Sequence, residues 1–296
     1  MPTDTATAPS ARRAPEPATR QRRFLVRRSH RKKAALFTVV GIIAIITAFP
    51  LLWMITSSFK GPDEVLSTDI VPSEPTLDNF DYVFTSVPFT RYLFNSFIIS
   101  VTVTVVALFF HSMAAYALAR LKFRGRDTIF IAIFSTLLVT APVVLVPLFL
   151  VVHRLGLLNS YAGLIIPAIF SAFGIFLLRQ FYLTIPAELE EAAILDGCGY
   201  WMIYRKIILP MSKSIFSALA VLFFLANWNS FLWPLVATTD QELQVVQLGI
   251  VSFFEEHSAD WNYVLAAAFV AAIPTLIIFG FFQRKIVESV KTSGMK

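Results

Sequence analysis

The side chains able to do chemistry are few in this chain, and they do not assemble into a catalyst. The four histidines, His30, His111, His153 and His257, are scattered, and the lone Cys198 has no partner for an internal disulfide. No G-x-x-x-x-G-K-[ST] phosphate loop is present, so ATP chemistry would belong to another polypeptide. No residue is assigned to catalysis and none to a metal. The densest set of carboxylates is Glu188, Glu190 and Glu191, opening the stretch Glu191-Ala192-Ala193-Ile194-Leu195-Asp196-Gly197 that runs on to Ile207-Ile208-Leu209-Pro210. Pro186 suits a helix start, and the carboxylates lie where the positive end of a helix dipole favours them. Ala192 and Ala193 form helix well and allow close approach of a partner, and Gly197 can take the positive φ that ends a helix. A second helical stretch, 200–208, is expected to stop before Pro210. Ile194, Leu195, Trp201, Met202, Ile203, Ile207 and Ile208 supply apolar surface. The chemistry implied is non-covalent: two short helices at an angle, shaped to lie in another protein's groove. The competing reading is an amphipathic helix resting on lipid with no partner.

The elements that must hold this segment are membrane spans. Of 296 residues, 56% are hydrophobic and only 15% are charged, which a soluble domain of this length would not show. A hydrocarbon core of ~30 Å needs about 20 helical residues, and six apolar runs qualify: 34–57, 94–118, 128–152, 161–182, 215–238 and 263–282. None alternates with a period of two, so an all-α polytopic protein is expected rather than a barrel. Of the 25 Lys and Arg, all but Lys60, Arg91 and Arg154 precede the first run, follow the last, or lie in or beside the second and fourth loops. The positive-inside bias then puts both termini and the Glu191 loop in the cytoplasm, and that bias and anionic lipid account for the basic balance without nucleic acid. The first and fifth loops are acidic and face outward. Residues 1–33 are expected as a disordered basic tail, 34–283 as the membrane domain with its loop at 184–213, and 284–296 as a cytoplasmic tail. The first span is an uncleaved anchor rather than a leader.

Polar residues stud the spans. Asn95, Ser96 and Ser100 lie in the second, Pro142 and Pro147 break the third, and Pro167, Ser171 and Gly174 lie in the fourth. The fifth holds Asn227, Asn229, Ser230 and Pro234. Such groups need partners inside the protein or a cavity, so Asn95, Asn227, Asn229 and Ser230 are candidates for a translocation path. Hydrogen bonding between helices is the competing reading. His111 lacks any intramembrane carboxylate to relay a proton with, so packing is its expected role. Arg179 is expected to snorkel to the interface. An ion-gradient-driven transporter or channel would show intramembrane Asp, Glu or Lys and paired halves; neither is present.

At Glu191-Ala192-Ala193, three residues, Gly197, nine residues, Ile207, one residue, Leu209-Pro210, the loop resembles the complete "EAA" signature of bacterial ABC-importer membrane subunits. Ser58-Phe59-Lys60, Asn95-Ser96, Ala115-Tyr116-Ala117-Leu118-Ala119-Arg120, Trp228-Asn229-Ser230-Phe231-Leu232-Trp233-Pro234 and Asp260-Trp261 resemble the carbohydrate-uptake branch, in particular the second permease of maltose-type systems. The resemblance covers 34–296 and implies the type I importer permease fold in a bacterial cell membrane. It implies a sugar permease that pairs with a second permease subunit over an ABC ATPase dimer, fed by an extracytoplasmic sugar-binding protein. ATP and Mg would sit on the ATPase, and this chain would bind no cofactor. Glu191 would be the charged anchor, Ala192 and Ala193 the contact surface and Gly197 the turn, with Asp196, Ile207, Leu209 and Pro210 completing the docking loop. The outward loop 239–260 resembles the one that reaches the binding protein, with Gln247, Gly249, Ile250, Phe253 and Phe254 as contacts. The last residues resemble a tail that approaches the ATPase, but lack the family's further glycine.

Overall fold

A lipid-facing backbone must satisfy its own N–H and C=O groups, and every regular element among the described residues is accordingly helical. The computed structural model describes residues 19–256 and 260–293, with side chains for 36–254 and 260–282. The chain divides into two units, Met1–Trp53 and Met54–Lys296. Most of α1 (Thr19–Ser57) makes up the described part of the first. It starts within the segment expected as an irregular tail, because the Arg, Lys, Leu and Ala of 20–36 are good helix formers; residues 1–18 lie outside the described residues.

The second unit follows with α2 (Asp78–Ser86), α3 (Phe89–Arg120), α4 (Arg126–Ser135), α5 (Ala141–Arg154), α6 (Tyr161–Ile169) and α7 (Ala172–Leu183). Then come α8 (Glu188–Leu195), α9 (Tyr200–Ile203), a π-turn (Tyr204–Ile208), α10 (Leu209–Met211), α11 (Lys213–Trp228), α12 (Leu232–Ala237), α13 (Val246–Glu256) and α14 (Trp261–Ser293). Among the described residues, three stretches are long and apolar enough to cross a bilayer: Leu36–Ser57, Phe89–Arg120 and Trp261–Phe282. Three bent pairs would bring the number to six if each is one span.

The bends correct the expected third span. Arg126–Leu138 and Ala141–Arg154 meet at 105°, but Pro142 lies in the first turn of α5 and Pro147 inside it. The break is the extended Val139 and Thr140 ahead of them; Pro142 starts a helix there because a first-turn residue needs no donor. The expected fifth span is also interrupted, at 229–231 between α11 and α12.

Helix α3 is the spine, packed against α6, α7 and α11. Its inward face repeats small or polar residues, Ser96, Ser100, Val103, Ala107, Ser112, Ala115 and Ala119, all buried, which lets neighbouring backbones approach closely. The carbonyl left without a donor by Pro167 finds a partner on another helix: Pro167 cannot donate to Gly163, and the Gly163 carbonyl accepts the Trp233 indole N–H at 3.0 Å instead. A second indole crosses between helices, Trp228 donating to the Ala271 carbonyl at 3.0 Å. Where α6 meets α7, the freed Ser171 N–H donates to His111 Nε2 at 3.0 Å, a packing role as expected.

The end opposite the 184–213 loop is stitched by amides. Asn79 donates to the Ser58 and Lys60 carbonyls at 2.9 and 2.8 Å and accepts from Asn262 at 2.8 Å. The fully buried Lys60 donates to Ser67 Oγ at 3.3 Å and to the Asp69 carbonyl. Asn159, at φ 53°, accepts at one oxygen from the Thr239 and Asp240 backbones, at 2.6 and 3.1 Å.

Candidate docking site at the 184–213 loop

Helix α8 begins with three carboxylates in its first turn, and the fold sends them different ways. Glu188 and Glu191 are exposed. Glu190 turns inward to Arg120 at the end of α3, with Oε1 3.0 Å from Nε and the two side chains 13% and 12% exposed. Burial raises the Glu190 carboxyl above its ordinary value, and the Arg120 charge opposes that rise. The same guanidinium donates to the Tyr182 and Ile185 carbonyls at the exit of α7. One arginine thus ties the end of α3 to both sides of the turn into α8.

Helix α8 ends as its glycine requires. Gly197 has φ +82°, the Cys198 N–H reaches back to the Ala193 carbonyl at 2.9 Å and the Gly197 N–H to Ile194 at 3.0 Å. These two bonds make a Schellman motif. Past the turn, helix does not stop before Pro210 as expected. In the π-turn 204–208 the Leu209 N–H bonds Tyr204 O, five residues back. The wider turn takes the missing Pro210 donor without a clash, and helix runs to Met211. The chain then bends by 76° into α11.

The loop has two faces. Ala193, Ile203, Tyr204 and Ile208 are buried among Ala115, Tyr116, Leu178, Tyr182 and Leu219. Leu189, Ile194, Leu195, Tyr200, Trp201 and Met202 stand out from the protein, Leu195 being 89% exposed. Ala192, Asp196, Gly197 and Pro210 share that outer side with Glu191, whereas Ile207 and Leu209 are half-buried. Ala193, Ile203 and Ile208, expected on the contact surface, instead fasten the loop to the spans: a short helix lying along a bundle must bury one side.

The other candidate residues separate. Asn95 is fully buried and saturated, donating to the Glu242 and Gln244 carbonyls at 2.9 and 2.8 Å and accepting from Tyr161 at 2.6 Å. It is glue between α3, α6 and the outer loop rather than a path lining. Asn227 bonds back to the Phe223 carbonyl at 2.7 Å. Asn229 is exposed and accepts from Gln247 at 3.3 Å, with the half-buried Ser230 beside it at the α11–α12 break. In α13, Gly249 and Phe253 belong to the core: a Cβ on Gly249 would lie 2.5 Å from the Tyr92 ring, and Phe253 is 1% exposed. Ile250 packs on the same cluster. Phe254, edge-on to Trp261 at 5.5 Å, and the half-buried Gln247 and Ile250 keep open surface. Arg179 holds its head at the end of the spans, Nη2 lying 3.8 Å from the carboxylate of the exposed Asp127. It lies 3.9 Å over the Phe130 ring and donates to the Leu118 carbonyl at 3.2 Å.

Sequence reasoning treated Arg120 only as a topology charge within a resembling motif. Its signal was position: a basic residue at the last turn of a long apolar helix, opposite a loop with one more carboxylate than a docking anchor needs.

Three comparisons bear on this arrangement. The profile of the family described as "Binding-protein-dependent transport system inner membrane component" matches residues 111–292. The arabinooligosaccharides transport system permease protein AraQ of Halalkalibacterium halodurans is 36% identical over 86% of this chain and 94% of its own length. The sn-glycerol-3-phosphate transport system permease protein UgpE of Rhizobium meliloti is 33% identical over 86% and 93%. A solved bacterial ABC transporter involved in the import of the acidic polysaccharide alginate shares the fold, with a TM-score of 0.74 at 23% identity over 92% of this chain and 99% of that one. With the family's profile over residues 111–292 and relatives more than 30% identical along most of its length, the chain belongs to the inner-membrane permease components of binding-protein-dependent ABC transport systems.

Proposed function

We propose that this chain is one of two permease subunits in an ATP-driven importer of a sugar, with six spans and both termini in the cytoplasm. The observation that carries this reading is the loop's outer face: Glu191 amid exposed Leu189, Ile194, Leu195, Tyr200 and Trp201, on a segment pinned from behind by Arg120. Exposed apolar side chains among the carboxylates Glu188, Glu191 and Asp196 suit a groove in a soluble partner, and an ABC ATPase dimer is the partner an importer needs. Ala192, Asp196, Gly197 and Pro210 join that contact, while Ile207 and Leu209 support it from below. The opposite end receives a binding protein against Phe254 and Gln247, and Asn229 and Ser230, at the break in the fifth span, face the path. A sugar cargo follows the arabinooligosaccharide relative; a glycerol phosphate, as in another relative's name, is the competing cargo.

The test is reconstitution of the whole importer in proteoliposomes, with uptake of labelled oligosaccharides and of labelled glycerol phosphate measured with and without ATP. ATP-dependent uptake of an oligosaccharide is expected. Glu191→Lys should abolish both uptake and co-purification of the ATPase. Uptake driven by an ion gradient without ATP, or a Glu191→Lys complex that assembles and transports normally, would refute the reading.

A further inference from the structure

Beneath the docking face lies a buried cluster of hydroxyls that the docking contact itself does not use. Ser112 Oγ, in the middle of α3, lies 2.6 Å from the Tyr182 hydroxyl on α7 and 2.7 Å from the Tyr204 hydroxyl in the π-turn. Ser112 and Tyr182 are fully buried and Tyr204 is 3% exposed. A serine has one proton to give, so at least one of the two phenols donates to it; the Tyr182 hydroxyl has a second buried partner in Ser212, whose own proton goes to the Ile208 carbonyl at 2.6 Å. Tyr204 also touches the loop's outer face, its ring 5.4 Å from that of Trp201, which is 58% exposed. Its other side faces the Tyr116 ring of α3 at 5.2 Å. A line of contacts therefore runs from an exposed docking side chain, through the π-turn, into two spans, and Ser112 is the one oxygen in it that both phenols share.

We propose that Ser112 is a positioning residue of the transport cycle, the link through which a displacement of the docking loop is passed to α3 and α7. The proposal rests on the docking reading of that loop. In apolar surroundings a hydroxyl stripped of its partner stays unsatisfied. Sliding the π-turn against α3 or α7 is therefore penalised, and the three elements move together. Apolar packing alone, as between Ile203 or Ile208 and the same core, is non-directional and permits small slips.

The experiment uses the assembled importer in proteoliposomes, with labelled arabinooligosaccharides as the transported probe and ATP hydrolysis read in the same samples. Tyr204→Phe removes one hydroxyl and keeps the ring; Ser112→Ala removes the shared acceptor. Hydrolysis is expected to continue in both, while sugar moved per ATP falls about five-fold. The double variant should be no worse than Ser112→Ala alone, because both substitutions cut one link. An unchanged ratio, a proportional fall of hydrolysis and uptake, or loss of assembly in Tyr204→Phe would overturn the proposal. Glu191→Lys separates the two levels. If it leaves assembly and uptake intact, the docking reading fails; if it abolishes both while Tyr204→Phe keeps a normal ratio, only the hydroxyl link fails.

Discussion

Arg120 shows how much one side chain can organise at the end of a long helix. It holds a carboxylate and two carbonyls at once, so removing it leaves Glu190 charged and mostly buried. Breaking such a pair from one side costs about 3 kcal/mol. Arg120→Ala is expected to lower the unfolding temperature of the purified protein and expose the 184–213 loop to protease. Glu190→Ala should be milder, at about 1 kcal/mol, since Arg120 keeps both carbonyls; equal effects would deny the arginine its central role. A different carboxylate sets a pH response at the other end. Glu64 accepts the Ser73 N–H at 2.9 Å and its hydroxyl at 2.9 Å, and these bonds hold its pKa below the ordinary value. A depressed folded value means the stabilisation is complete above the ordinary carboxylate range and is lost as pH falls through the lower, folded one. Proteolysis of the 61–76 segment should rise on acidification through that window, and Glu64→Gln should flatten the profile.

At the scale of elements, the loop's shape depends on one dihedral. Gly197 has open space where a Cβ would stand, so substitution there costs only backbone strain at φ +82°, about 1–2 kcal/mol for Ala. Gly197→Ala should insert normally yet lose coupled uptake, and Gly197→Asn, which tolerates that conformation better, should retain more of it. This turn was legible in sequence because glycine has a conformational preference of its own. So were the long straight helices, written in unbroken apolar runs. The 105° bend between α4 and α5 was not. Proline drew attention to 142 and 147, yet both sit comfortably in helix, and the break falls on Val139 and Thr140, whose types carry no such signal. The inward turn of Ala193, Gly249 and Phe253 was illegible for another reason. Apolar residues on a short helix look alike whether they face a partner or their own core, and only the tertiary neighbours decide. Asn95 belongs with them, a polar residue whose partners, Glu242 and Gln244, lie far along the chain.

Across the whole molecule, the charge bias expects the docking loop and the amide-stitched end on opposite sides of the membrane. With Cys198→Ser as background, Leu195→Cys should react with an impermeant maleimide only from the cytoplasmic side, and Asp81→Cys only from outside; the reverse pattern would invert the topology. The amide stitching has a further consequence, for how the protein is made. Asn79 bonds a residue 183 positions later, Asn95 one 149 later and Asn159 one 80 later. Each of these amides is made long before the ribosome has reached its later partner. Until residues 239–244 and α14 are made, the half-built chain lacks these latches at one end, while the core between α3 and α7 can already close. Truncation before residue 239 is therefore expected to leave that end unlatched, read as faster proteolysis of the truncated chain than of the full one.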